Sequence, residues 1–411
     1  MKQTCSLSLA LTLAVLFQLP LRALAKAPPK TFPIQIENGK LTGPGEEVIR
    51  HELSNAQFIL WGEDHGFADS PVVLRAIARE ARPLGFRYHV VEVGPLSTRM
   101  IGQTLTKDGL SGLQKLVRDV PLGIPFLSLK DDADLASDFL GEDAKGQPFL
   151  WGIDQEFIGS PPFHLQRLVA LAPNEPARKA AEELLAQEKD AAATAAQDKF
   201  LLSRYRDTDF RQLATKFTGV TEAEQIIGEL QESAAVYQAW MSGHNYENNT
   251  RRARLLAKNF LSDYRAAADP NPKVVFKMGI EHVSLGTTTV NTVDLGTLVT
   301  SIARLNDKSV LRIAFLPMGG QNIAFAPKAG NPTTVQKYES DEAKEFFPAI
   351  GLNVEALPKE GWALVPLEPI RQSLDTKGID ALKRFSRFLL LGYDYVVTTA
   401  EAKSGQFLYE K

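Results

Sequence analysis

The chain has 411 residues, a formal charge of −3, 44% hydrophobic and 23% charged residues, and a single cysteine. That balance is ordinary for a globular protein with a sizeable core, and its mild acidity argues against nucleic acid or an anionic membrane surface as a main partner. One thiol excludes an intramolecular disulfide framework.

At the N-terminus Lys2 precedes an apolar run from Leu7 to Leu21, and Ala23-Leu24-Ala25 has the small-residue pattern of a signal-peptidase site. Residues 1–25 are therefore expected to be a removed leader, and the chain from Lys26 on to be periplasmic or secreted. Gln18 and Pro20 interrupt the run and leave it shorter than the ~20 apolar residues a bilayer crossing needs. No later segment is apolar enough to span. Cys5 lies ahead of the apolar run and not at the cleavage point, so lipidation is not expected, and the mature chain has no thiol.

Asn38-Gly39 between Ile34-Gln35-Ile36 and Leu41 predicts a small hairpin. Short β-branched and aromatic runs then alternate with helix-period segments, the signature of βαβ units around a parallel sheet. The predicted strands are Gln57 to Trp61, Arg87 to Val93, Phe149 to Ile153, Lys273 to Met278, Val310 to Phe315, Trp362 to Val365 and Tyr393 to Thr398. Between the first two, Asp69-Ser70-Pro71 reads as a cap and first turn of a helix that closes near Gly85. Residues 174–268 are rich in Ala, Glu, Gln, Lys and Arg and contain no strand pattern. They predict three or four helices, with a capping box at Thr221-Glu222-Ala223-Glu224 and a stop at Asp269-Pro270-Asn271-Pro272. The fold class is thus α/β: one domain, residues 26–411, with a mainly parallel sheet flanked by helices and a helical insertion acting as a cap. A structural arm for dimer contacts is the plainer reading of that insertion.

Open parallel sheets bind ligands beyond the carboxyl ends of their strands, and four predicted strand ends carry acids or histidines. They are Gly62-Glu63-Asp64-His65-Gly66, Glu92 before Gly94-Pro95, Gly152-Ile153-Asp154-Gln155-Glu156, and Gly279-Ile280-Glu281-His282. Any one alone reads more simply as a cap or a solvated loop residue. Their recurrence, with two of the six histidines in the same Gly-x-x-His setting after an apolar strand, favours a site. His89 falls inside a strand, and His51, His164 and His244 have no acidic partner at a telling spacing.

These motifs resemble the superfamily of erythromycin esterases, ChaN-like haem-binding lipoproteins and TraB/Tiki proteins. Its signature is a first Gly-x-x-His loop, an acid after the next strand and a second Gly-x-x-His loop late in the fold. Here those are Gly62-Glu63-Asp64-His65-Gly66, Glu92 and Gly279-Ile280-Glu281-His282. Gly152-Ile153-Asp154-Gln155 and Arg252-Ala253-Arg254-Leu255-Leu256-Ala257-Lys258-Asn259 are similar to the esterase branch in particular, although that helix lacks its Asp after Arg252 and its Met before Ala257. The Gly320 to Lys344 loop has no counterpart in the resemblance.

As a hydrolytic site, neutral His65 would take a proton from water, with Glu63 or Glu92 orienting its other nitrogen. Arg252 would face a developing oxyanion, and His282 would donate a proton to the leaving alcohol or position water. Asp154 and Glu281 are candidates for holding a small-molecule substrate. No Gly-x-Ser-x-Gly elbow is present, so no serine nucleophile is expected. This reading needs no cofactor. Two others stay open: His65, Glu92 and His282 as ligands of Zn, Mn or Fe, as the TraB/Tiki resemblance implies for a metal-dependent peptidase, or haem or metal uptake, as the ChaN-like resemblance implies.

Overall fold

The runs predicted as strands all join one sheet, together with the predicted hairpin. The structure, a computed structural model, describes residues 29–408 apart from 195, 329, 330 and 359, so the expected leader lies outside the described residues. The strands are β1 Phe32–Glu37, β2 Lys40–Thr42, β3 Ala56–Glu63, β4 Phe86–Val91, β5 Leu150–Gly152, β6 Lys273–Gly279, β7 Ser309–Phe315, β8 Gly319–Lys328, β9 Asn331–Glu339, β10 Trp362–Pro366 and β11 Tyr395–Thr398. Nine of them form one sheet in the order β2-β1-β10-β11-β7-β3-β6-β4-β5. The six strands from β11 to β5 run parallel, while β10 and β1 join antiparallel at the other side.

A central parallel strand is covered on both faces and therefore reads as an unbroken apolar run; β3, buried at every position, behaves this way. On one face the helices Asn245–Ala266, Leu295–Leu305 and Asp341–Ala349 bring Phe260, Val299 and Phe346 against Phe58, Val90 and Phe276. On the other, Pro44–Leu53 and Asp69–Ala81 bring Ile49, Val73 and Ile77 against Ile59, Val275 and Leu311. Among the described residues the segment 174–268 holds five α-helices, not three or four: Glu175–Thr194, Leu201–Arg204, Asp207–Lys216, Thr221–Met241 and Asn245–Ala266. The first four pack around Ala181, Leu202, Phe210 and Ile227, and Leu165 and Leu168 of the preceding helix Pro161–Leu171 join that cluster. The cap thus has its own hydrophobic core, which begins ahead of the boundary read from composition.

Three local expectations are corrected. Asp69 and Ser70 do not cap their helix: Asp69 accepts the Lys403 N–H at 2.5 Å, and the Ser70 hydroxyl is directed at Glu63. Thr221 makes no capping bond, and Glu224 reaches back to the Gly219 N–H at 2.9 Å. The region from Gly320 is no plain loop, since β8 and β9 pair there as an antiparallel hairpin.

Candidate active site

The carboxyl ends of β3, β4 and β6 are neighbours in the sheet, which is why residues far apart in sequence meet. β3 delivers Glu63 and, after one residue, His65, whose Nδ1 lies 2.9 Å from Glu63 Oε1. The ring of His65 stacks on Phe126 with centroids 4.1 Å apart. β4 delivers Glu92, and β6 ends at Gly279 and leads to His282. His65 Nε2 stands 3.5 Å from Glu92 Oε2 and His282 Nε2 stands 3.6 Å from Glu92 Oε1, so the two imidazoles flank one buried carboxylate. A Cβ at position 279 would sit 3.3 Å from His65 Nε2, 3.4 Å from Glu92 Oε2 and 3.5 Å from His282 Cδ2. Glycine is what lets the three groups close on each other. Gly62 serves the layer beneath, where a Cβ would lie 2.3 Å from the Tyr393 hydroxyl.

Glu92 is fully engaged. Its Oε2 accepts the Gly279 N–H at 2.5 Å, and its Oε1 accepts from Arg252 Nη2 at 2.5 Å. Arg252 also grips Asp154 through Nε at 3.0 Å and Nη2 at 2.5 Å. Asp154 is therefore the partner of Arg252 and not a free substrate contact. Arg252 in turn keeps only its Nη1 N–H groups uncommitted among the described residues, so it is less open to an oxyanion than the sequence suggested. Seven residues on, two turns along the same helix face, Asn259 Nδ2 donates to the Ile153 carbonyl at 2.9 Å. The Arg252…Asn259 spacing thus has a physical reason: both side chains fasten the last cap helix to the strand end after β5. Glu281 does not join the cluster, because its carboxylate accepts from the Thr289 N–H at 2.8 Å and from the Thr289 hydroxyl.

Several partners escaped the sequence reading. His282 Nδ1 lies 2.8 Å from Asp294 Oδ2, whose other oxygen accepts the Leu295 N–H at 2.7 Å as the N-cap of the next helix. Lys277 of β6, 8% exposed, places Nζ 2.5 Å from Glu63 Oε1 and 2.6 Å from Asp132 Oδ1. Ser70 donates to Glu63 Oε2 and accepts Trp61 Nε1–H at 2.8 Å. His164 does have an acid: its Nε2 is 2.9 Å from buried Glu156, which also accepts the Leu96 N–H at 2.8 Å at the start of the helix Pro95–Asp119. That pair is a structural joint outside the His65 cluster.

The charges shape each group. Burial alone would raise Glu92, but Arg252, His65, His282 and the Gly279 N–H outweigh it and hold the carboxyl well below its usual range. Glu63 is lowered likewise, with Lys277 and His65 overcoming burial. Burial favours neutral His65, yet Glu92 and then Glu63 outweigh it and lift the pKa above the ordinary value. Burial pushes Asp132 up to about 6, against the pull of Lys277. Among the described residues no group of three or more His, Cys, Asp or Glu side chains is arranged to hold a metal ion. The carboxylate of Glu92 already accepts from an arginine and a backbone N–H.

Fold and cluster define a mainly parallel α/β protein with a histidine–carboxylate centre at the strand ends, in contact with a helical cap. The chain has the fold of the erythromycin esterases. It is similar to a mutant of the erythromycin esterase EreC in its open conformation, with a TM-score of 0.57 and 14% identity over 93% of this chain and 100% of that one. It is also similar to a succinoglycan biosynthesis protein (TM-score 0.54, 12% identity, 92% and 96% covered) and to a protein from Bacillus cereus (TM-score 0.52, 12% identity, 92% and 96% covered). No protein-family model and no curated sequence matches the chain. At these identities the likeness establishes the fold.

Proposed function

We propose that the protein is an exported hydrolase of an ester or lactone, in which His65 activates water. The observation that carries this is the paired anchoring of the two rings. Glu63 holds Nδ1 of His65 and Asp294 holds Nδ1 of His282, so both Nε2 atoms face the same small space beside Glu92. His65 Nε2 takes a proton from water as its oxygen bonds to the substrate carbonyl. The tetrahedral oxyanion faces the free N–H groups of Arg252, and the departing alkoxide receives its proton from His282 as the C–O bond breaks. Glu92 tethers the cation of Arg252 and favours one shared proton between the two rings. No step calls for a metal, and the Arg252 guanidinium supplies the local positive charge. Absence of a membrane-crossing helix among the described residues is compatible with release of the chain after cleavage near Ala25.

A panel of esters and lactones tests the reading, with His65→Ala alongside. General-base participation contributes ~10²–10⁴ in rate, so the variant should lose that much while staying folded, and chelator should leave the wild-type rate unchanged. The rate should rise as His65 deprotonates, with a midpoint on the alkaline side of the ordinary imidazole value of about 6.5. Hydrolysis that His65→Ala leaves intact would sink the assignment.

A further inference from the structure

The acid that orients His65 stands at the end of a buried chain of polar contacts. Every group touching Glu63 is arranged to donate to it. Its Oε1 faces both Lys277 Nζ at 2.5 Å and His65 Nδ1 at 2.9 Å. Its Oε2 receives the Ser70 hydroxyl, whose oxygen in turn accepts the indole N–H of Trp61. A carboxyl surrounded by donors is held ionised, and an ionised carboxylate can only accept. His65 must then carry its proton on Nδ1, leaving the Nε2 lone pair for water. Glu92 makes no hydrogen bond to that nitrogen, since its Oε2 stands 3.5 Å from Nε2, beyond the usual N–H···O distance.

Among the described residues, the only full positive charge touching Glu63 other than a protonated His65 is Lys277, buried in the middle of the sheet. Asp132, on the helix Lys130–Ser137, anchors the same ammonium at 2.6 Å. We propose that Lys277 is a positioning residue whose charge keeps Glu63 ionised and thereby fixes His65 as the Nδ1–H tautomer. This deepens the hydrolytic reading and rests on it for its catalytic consequence, although the tautomer itself does not depend on any substrate. Without Lys277 a buried carboxylate pair faces no cation, and an unpaired buried charge takes up a proton. Protonated Glu63 would donate to Nδ1, turning the hydrogen bond round. The ring proton would move to Nε2, the atom that has to accept from water.

Nitrogen NMR of ¹⁵N-histidine-labelled protein reads the tautomer directly, with the His65 signals assigned by their loss in His65→Ala. In the wild type, above the ring's titration, Nδ1 should show the protonated, pyrrole-type shift and Nε2 the pyridine-type shift. Lys277→Met should reverse the two and lower kcat at least tenfold with little change in KM. Lys277→Arg, which keeps the charge, should restore the wild-type pattern, and Asp132→Asn, which leaves Lys277 in place, should retain it. A wild-type ring protonated on Nε2 overturns the proposal whatever the variants do, including a Lys277→Met protein that does not fold. A folded Lys277→Met with the wild-type pattern overturns it as well, as does a reversal in Asp132→Asn. If the tautomer reverses as expected but no ester responds to His65→Ala, the positioning role stands and the hydrolytic reading fails; the converse pair of results separates them the other way.

Discussion

Gly279→Ala offers a narrow test of the site, because it changes one methyl group and no charge. The backbone at Gly279 lies outside the left-handed region, so alanine introduces no backbone strain there. The new Cβ would meet His65 Nε2, Glu92 Oε2 and His282 Cδ2 at 3.3, 3.4 and 3.5 Å, contacts that a shift of a few tenths of an ångström relieves. The N–H that binds Glu92 is kept. Folding stability should therefore change by less than about 1 kcal/mol, since restricting the unfolded chain offsets mild crowding. Catalysis should not be spared: a water positioned for general-base attack needs hydrogen-bond reach of His65 Nε2, and the methyl occupies that approach. Displacing the water forfeits a contribution of ~10²–10⁴, or about 3–5 kcal/mol of transition-state stabilisation. The assay is kcat/KM on the best ester of the panel beside a urea unfolding curve. A stable Gly279→Ala enzyme with near wild-type kcat/KM would show that the reacting water does not stand between the two histidines.

Two further perturbations reach other parts of the molecule. Glu188 is fully buried, with Oε1 bonded to the Leu201 N–H at 2.6 Å and Oε2 without a partner among the described residues, and burial pushes it from 4.5 up to about 7. The unfolded chain releases this proton first, so stability is lost as pH rises from about 4.5 to 7. Glu188→Gln should raise stability by about 1–3 kcal/mol at pH 8 and hardly at all near pH 4.5; equal urea midpoints at pH 8 would contradict this. Arg252→Lys keeps charge but cannot hold Asp154 and Glu92 together as the planar fork does. A loss of about 1–3 kcal/mol in stability is expected from the under-bonded buried carboxylates, with at least a tenfold fall in kcat, and an unchanged enzyme would mean that charge alone suffices.

The strands and their acidic ends were legible because a central parallel strand must be apolar throughout, so a Glu, Asp or His directly after one stands out. That rule found Glu63, His65, Glu92, Asp154 and His282. It also held the signal for Lys277, a lone charge inside the Lys273–Gly279 run of a central strand, which passed unnoticed because its neighbours made the run look ordinary. Asp132 was beyond reach: Lys130-Asp131-Asp132-Ala133-Asp134 looks like a solvated helix face, and only packing against β6 decides which aspartate is buried. Asp294 was hidden by its bland role, because the same side chain caps a helix with one oxygen and holds His282 with the other. Glu281 misled for the opposite reason, sitting beside His282 in sequence while its carboxylate serves a local turn. The capping pattern at Asp69-Ser70 failed because Lys403 and Glu63 claimed its side chains, and the one at Thr221 because Glu224 reaches the Gly219 N–H instead.

The cap has a core of its own and is fastened to the strand end after β5 by Arg252 and Asn259, two turns apart on one helix. Such an attachment makes the molecule modular. Outer cap helices can be rebuilt, lengthened or exchanged so long as these two side chains and Ser233, which accepts the Glu156 N–H at 2.9 Å, keep their grip, while the histidines and their acids on the sheet stay where they are. On the hydrolytic reading proposed above, what the protein accepts and what it does to it become separately heritable properties, the first free to drift with the cap and the second bound to the strand ends.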